Sequence, residues 1–108
     1  AGRDVSVTKP WKVDRKVREL VVPDGARVAL SDADLIVLEC FLEAGGQTVT
    51  RETLSRALGR ESDDDSDNGL NATIYRLRRR IERATPMLVP LQSRSRVGYW
   101  FRSPLTTV

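Results

Sequence analysis

Leu70, Ile74, Leu77 and Ile81 stand four, three and four residues apart, in a segment from Asn68 to Arg83 that is free of proline and is followed by Pro86. Such spacing draws one continuous apolar stripe along an α-helix. A helix built this way must set its stripe against a core, which leaves its other side facing out. At about 100° per residue, that outer side carries Ala72, Arg76, Arg79 and Arg83, flanked by Gly69, Thr73, Tyr75 and Arg80.

The remaining segments read as a sheet, two further helices and a closing hairpin. From Trp11, apolar residues recur in short β-rich runs, and Val17–Val22 and Ala26–Leu30 are joined by Pro23-Asp24-Gly25, a hairpin signal. Ser31 and the early acids Asp32 and Asp34 precede Leu35, Leu38 and Leu42, with Val37 and Phe41 widening the apolar face. This predicts a helix over 32–44 that Gly45-Gly46 stops. Gln47 to Val49 reads as extended, and Thr50 caps a second helix to about Leu58. Residues 61 to 67 form an acidic loop. Val89–Ser93 and Tyr99–Phe101 then read as strands around a tip at Arg94 to Gly98, with Pro90 suited to an edge strand. The fold class is α+β: an amino-terminal antiparallel sheet, three helices and a carboxy-terminal β-hairpin.

At 108 residues, 40% hydrophobic and 31% charged, the chain suits one compact domain over residues 9–103. Residues 1–8 read as a linker end or cloning remnant, and 104–108 as a tail. Cys40 is the single cysteine, so no intrachain disulfide forms, and its apolar neighbours suggest a buried thiol. No apolar run reaches a membrane span of about 18 residues and no signal peptide is visible, so a cytoplasmic location is expected.

The charge is divided sharply. Residues 31–67 hold ten acids against three arginines, whereas residues 68–108 hold eight arginines against one acid, Glu82. The net charge of +3 hides this dipole, which would turn one face toward a polyanion and another away. An ordinary solvated helix mixes signs at i,i+4, but this one has only Glu82 to relieve its arginines. Nucleic acid is the partner that neutralises such a face. Small Gly69 and Ala72 allow close approach, and an arginine fork can bind guanine bidentately in a major groove. Arg78 projects beside the stripe, where it either lies over core edges or binds phosphate. Arg94 and Arg96 fall at the hairpin tip, able to reach backbone or minor groove, with a solubilising turn as the alternative.

Catalytic and metal chemistry lack the necessary residues. Histidine is absent, and no carboxylate pair is set in an apolar pocket. The run Asp63-Asp64-Asp65-Ser66-Asp67 invites a calcium loop, but a start at Asp64 puts Tyr75 at the twelfth position and a start at Asp63 puts Ile74 there, where glutamate is required. No cofactor and no metal are expected. The competing reading is a protein-interaction module whose arginines meet an acidic partner without reading DNA sequence.

Val28-Ala29-Leu30-Ser31-Asp32-Ala33-Asp34-Leu35, the run Ile74-Tyr75-Arg76-Leu77-Arg78-Arg79 and the closing Gly98-Tyr99-Trp100-Phe101 together resemble the OmpR/PhoB-type winged-helix effector domain of bacterial response regulators. The resemblance covers about Trp11 to Phe101. It implies a winged helix-turn-helix with 68–83 as recognition helix, 94–98 as wing, and double-stranded DNA as partner. It also implies an RNA polymerase contact through the loop before that helix, and a head-to-tail homodimer on direct repeats. Positions matching Asn71, Thr73, Tyr75, Arg76, Arg78 and Tyr99 lie at the DNA interface in this family. Asn71 stands where aspartate is common, Thr73 where histidine is frequent and Asn68 where arginine often begins the helix. Arg94-Ser95-Arg96 replaces the usual apolar-Arg-Gly order, moving charge to both neighbours of the expected wing site. Relatives usually carry a receiver of about 120 residues, which these 108 cannot supply.

Overall fold

Ser31 starts the first helix with a reciprocal cap: its hydroxyl accepts from the Asp34 amide at 3.1 Å, and the Asp34 carboxylate accepts from the Ser31 amide at 3.1 Å. In this computed structural model, which describes residues 9–59, 66–94 and 97–108, α1 runs Asp32–Ala44 as the sequence predicts. Gly45 ends it in the left-handed conformation, φ 60°, with its amide bonded to the Phe41 carbonyl.

Before α1 come β1 (Trp11–Asp14), β2 (Glu19–Val21) and β3 (Arg27–Ala29), paired antiparallel in sequence. The Pro23-Asp24-Gly25 turn joins β2 to β3 as expected, with Asp24 accepting from the Ala26 amide at 2.9 Å. After α1 come β4 (Val49–Thr50), α2 (Arg51–Ala57), capped by Thr50, and α3 (Ser66–Ala84). Then β5 (Leu91–Arg94), β6 (Gly98–Phe101) and β7 (Leu105–Thr107) complete the chain.

Several boundaries differ from those the sequence suggests. The third helix begins at Ser66, two residues earlier than predicted, and takes the last residues assigned to the acidic loop. The rest of that loop, 60–65, lies outside the described residues, as do 95–96 at the hairpin tip. Strand β5 starts at Leu91 rather than Val89; Pro90 precedes it, and its carbonyl accepts from the Arg102 amide. The expected tail is largely a strand: β7 pairs parallel with β1, Trp11 opposite Leu105, on the edge that β1 leaves open.

Two sheets result, ordered β3-β2-β1-β7 and β4-β6-β5. The core lies between them and the helices. Trp11 and Val13 from β1, Leu20 from β2 and Val28 from β3 meet Val37, Leu38 and Phe41 from α1 and Leu54 from α2. Phe101 joins the sheets by stacking edge-on against Trp11, centroids 5.8 Å apart, and packing beside Phe41. Leu70, Ile74, Leu77 and Ile81 are all buried, so the stripe faces the core as its period requires. Cys40 is only partly buried, and burial, followed by Glu43 and Glu39, raises its thiol pKa.

Candidate nucleic-acid interface

With the stripe of α3 fixed, its remaining positions sort by angle. Arg76, Arg79 and Arg83 project outward and are exposed, together with Tyr75, which is 60% exposed. They line a shallow groove of about 310 Å³ on the helix surface. The Arg79 guanidinium lies 5.9 Å from the Tyr75 ring centroid and 4.0 Å from Glu82. At that distance, with both side chains half exposed, the ion pair is weak. Like charges thus remain crowded along this face.

Two residues placed on the outer flank by sequence turn their polar groups back toward the protein, although Arg80 also lines the edge of that groove. Thr73 is 1% exposed and its hydroxyl donates to the Gly69 carbonyl at 2.9 Å. It sits too close to the buried stripe, on the flank away from Asn71, to project outward. Arg80 lies on the same side, turned toward α1. It donates to the buried Asp34 carboxylate and to the Ala29 carbonyl, the latter at 3.3 Å. Asp34 therefore closes the cap of α1 while anchoring α3. One charge-assisted contact locks the angle of the arginine-bearing helix to the helix and sheet beneath it.

On the opposite side of the stripe, α3 faces the hairpin. Tyr99 is buried, and its hydroxyl donates to Asn71 Oδ1 at 2.6 Å. Arg51, at the start of α2, approaches the same oxygen at 3.5 Å and stands 5.6 Å over the Tyr99 ring. Exposed Arg78 borders the groove of about 540 Å³ between helix and hairpin, which Asn71, Tyr75, Ser93 and Tyr99 also line. It has no ion-pair partner among the described residues, whereas Arg94 stacks over Trp100 at 4.6 Å. Arg96 lies outside the described residues.

The hairpin is held to the helices by a backbone approach that sequence reasoning missed. A Cβ on Gly98 would lie 2.0 Å from the Val49 carbonyl oxygen and 2.8 Å from the Thr50 Cα, so only glycine lets β6 cross β4 here. The next residue continues the contact, with the Arg51 amide donating to the Val97 carbonyl at 3.2 Å. Arg51 was missed as well. Nothing in its local sequence marks it, since its partners lie 20 residues or more away.

A helical hairpin followed by a long third helix and a two-stranded wing, on a short sheet, defines a winged helix-turn-helix. The family model described as "Transcriptional regulatory protein, C terminal" matches residues 25–101. The chain belongs to this family, the OmpR/PhoB-type C-terminal DNA-binding domains of transcription regulators. It is 29% identical over 93 residues to the regulatory protein VirG of Agrobacterium fabrum and 27% identical over 93 residues to VirG of Rhizobium rhizogenes. Each match covers 84% of this chain but only 36% and 38% of those proteins. Among solved structures, the C-terminal DNA-binding domain of RstA from Klebsiella pneumoniae is 26% identical with a TM-score of 0.67, covering 87% of this chain and 84% of that one. The DNA-binding domain of response regulator AdeR, in complex with an intercistronic region, has the same fold at 15% identity and a TM-score of 0.70, covering 91% and 99%. This family is a class of DNA-binding regulators and not of enzymes. Among the described residues no helix is long and apolar enough to cross a membrane.

Proposed function

We propose that this chain binds double-stranded DNA sequence-specifically, with α3 seated in the major groove and the 94–98 wing in an adjacent groove. The arginine face of α3, relieved among the described residues only by the weak Arg79–Glu82 pair, carries the proposal: Arg76, Arg79 and Arg83 project together from a helix whose other side is anchored in the core. Tyr75 and Arg78 flank that face, Asn71 meets Tyr99 of the wing, and Arg94 extends the basic surface along the wing. Arg80 and Thr73 serve as positioning residues, because their polar groups are turned to the protein itself. RstA was solved in complex with its RstA box and AdeR with an intercistronic region, which supports a duplex as the ligand here.

The resemblance extends the proposal to a bacterial, cytoplasmic regulator that contacts RNA polymerase and pairs head to tail on direct repeats. The loop that would meet polymerase falls in 60–65, outside the described residues. The test is electrostatic. Neutralising about six phosphates gives a slope of roughly −5 for log affinity against log salt. Arg79→Ala and Arg94→Ala should each make it shallower by about one. Slopes equal to the wild-type value would remove both arginines from the interface.

A further inference from the structure

The groove between α3 and the wing contains an amide whose orientation is fixed. An arginine guanidinium only donates hydrogen bonds, so the Asn71 atom that faces Arg51 is its carbonyl oxygen. The Tyr99 hydroxyl donates to the same oxygen at 2.6 Å, a much stronger contact than the 3.5 Å approach of Arg51. Arg51 in turn stacks on the Tyr99 ring, so the three side chains form one unit. With Oδ1 held inward by two donors, the Nδ2 amino group points the other way. Asn71 is exposed, and no described residue accepts a hydrogen bond from that amino group.

We infer that Asn71 is a specificity-determining residue which presents a fixed pair of N–H donors to a base-edge acceptor in the major groove. This rests on the DNA-binding reading above and goes further, because it assigns a polarity to one position of the recognition surface. A free asparagine can turn either way, offering donor or acceptor, and bind adenine through both. Pinned here, it can only donate. Its preferred partners are therefore purine N7, guanine O6 or thymine O4, and cytosine, which offers an N4 donor in the major groove, is disfavoured. The wing thereby contributes to base reading without touching the base: Tyr99 is a positioning residue acting through Asn71.

The experiment takes wild-type protein, Asn71→Asp and Tyr99→Phe through site selection from random duplexes. Affinities are then measured on the selected duplex and on its three substitutions at each base pair. Asn71→Asp keeps the inward acceptor but replaces the outward donor with a second acceptor. It should lose roughly 5- to 150-fold discrimination at one base pair, and its preference there should move toward cytosine. Tyr99→Phe removes the stronger of the two donors and leaves only the 3.5 Å approach of Arg51, so discrimination at that same base pair should relax while other positions keep theirs. Thermal unfolding of each variant separates this from loss of fold. Equal weakening by Asn71→Asp on every duplex would place Asn71 on a phosphate and overturn the inference. A Tyr99→Phe profile matching wild type would overturn the positioning by Tyr99. Wild-type protein that binds every duplex alike would instead remove the functional reading itself.

Discussion

Gly98→Ala is the substitution whose effect the structure specifies most directly. The added methyl carbon would sit 2.0 Å from the Val49 oxygen, and 2.8 and 2.9 Å from the Thr50 Cα and Val49 carbonyl carbon. All three are backbone atoms, so no side chain can swing aside. To reach ordinary van der Waals separation, β6 must move from β4 by more than 1 Å, by roughly the difference from a 3.5 Å contact. That movement breaks the pairing of Val49 with Tyr99 and Thr50 with Gly98, and strains the bond from the Arg51 amide to Val97. Two or three hydrogen bonds at about 1 kcal/mol each, plus about 1–3 kcal/mol for overpacking, total roughly 3–6 kcal/mol. For a domain of this size, that lowers Tm by more than about 10 °C. It also separates Tyr99 from Arg51, so specific DNA affinity should fall further than stability alone explains. Urea unfolding of the variant, followed by binding measurements at a temperature where it is folded, checks both. Stability within about 0.5 kcal/mol of wild type would refute the account of how the wing is attached.

Arg80→Met should destabilise by about 2–3 kcal/mol, less than the roughly 3–5 kcal/mol for a fully buried broken pair, since Arg80 is partly exposed and Asp34 keeps the Ser31 amide. Its salt slope should match wild type, as a positioning role requires; a slope shallower by about one would put Arg80 on a phosphate instead. The Thr85 hydroxyl, and then the Ala26 amide, hold the Asp24 carboxyl below its usual pKa. Its folded pKa lies below its unfolded one, so its contribution is present above the ordinary carboxylate range and is lost as pH falls through the folded value. Asp24→Asn should therefore flatten the acid limb of a stability–pH curve, leaving the part due to Glu39, which Arg15 holds low in the same way.

How far the fold was readable depends on how local its signals are. Helix α1 was legible to the residue because its cap, apolar face and glycine stop all lie within 15 positions. The stripe of α3 was legible for the same reason. Angular position alone, however, could not separate Arg80 from Arg76, since the difference is made by Asp34, 46 residues earlier. Thr73 was misplaced because a 100° wheel says little about how far burial spreads from the stripe onto its flank. Strand β7 and the β4 pairing escaped detection: each is two or three residues long, and its partner is supplied only by tertiary closure. The helix-to-wing contact through Asn71, Arg51 and Tyr99 was not legible: Asn71 and Tyr99 were each expected to face DNA rather than one another, and Arg51 carried no expectation.

The most direct test of the account is a titration of isotope-labelled protein with a selected duplex, followed by NMR. Perturbations and slowed side-chain exchange should gather at Tyr75, Arg76, Arg79 and Arg83 on α3 and at Arg94 on the wing, while Glu39 and Glu43 on α1 stay unmoved. Perturbations concentrated on the amino-terminal sheet, with the arginines of α3 unchanged, would contradict the claim that this helix face grips DNA.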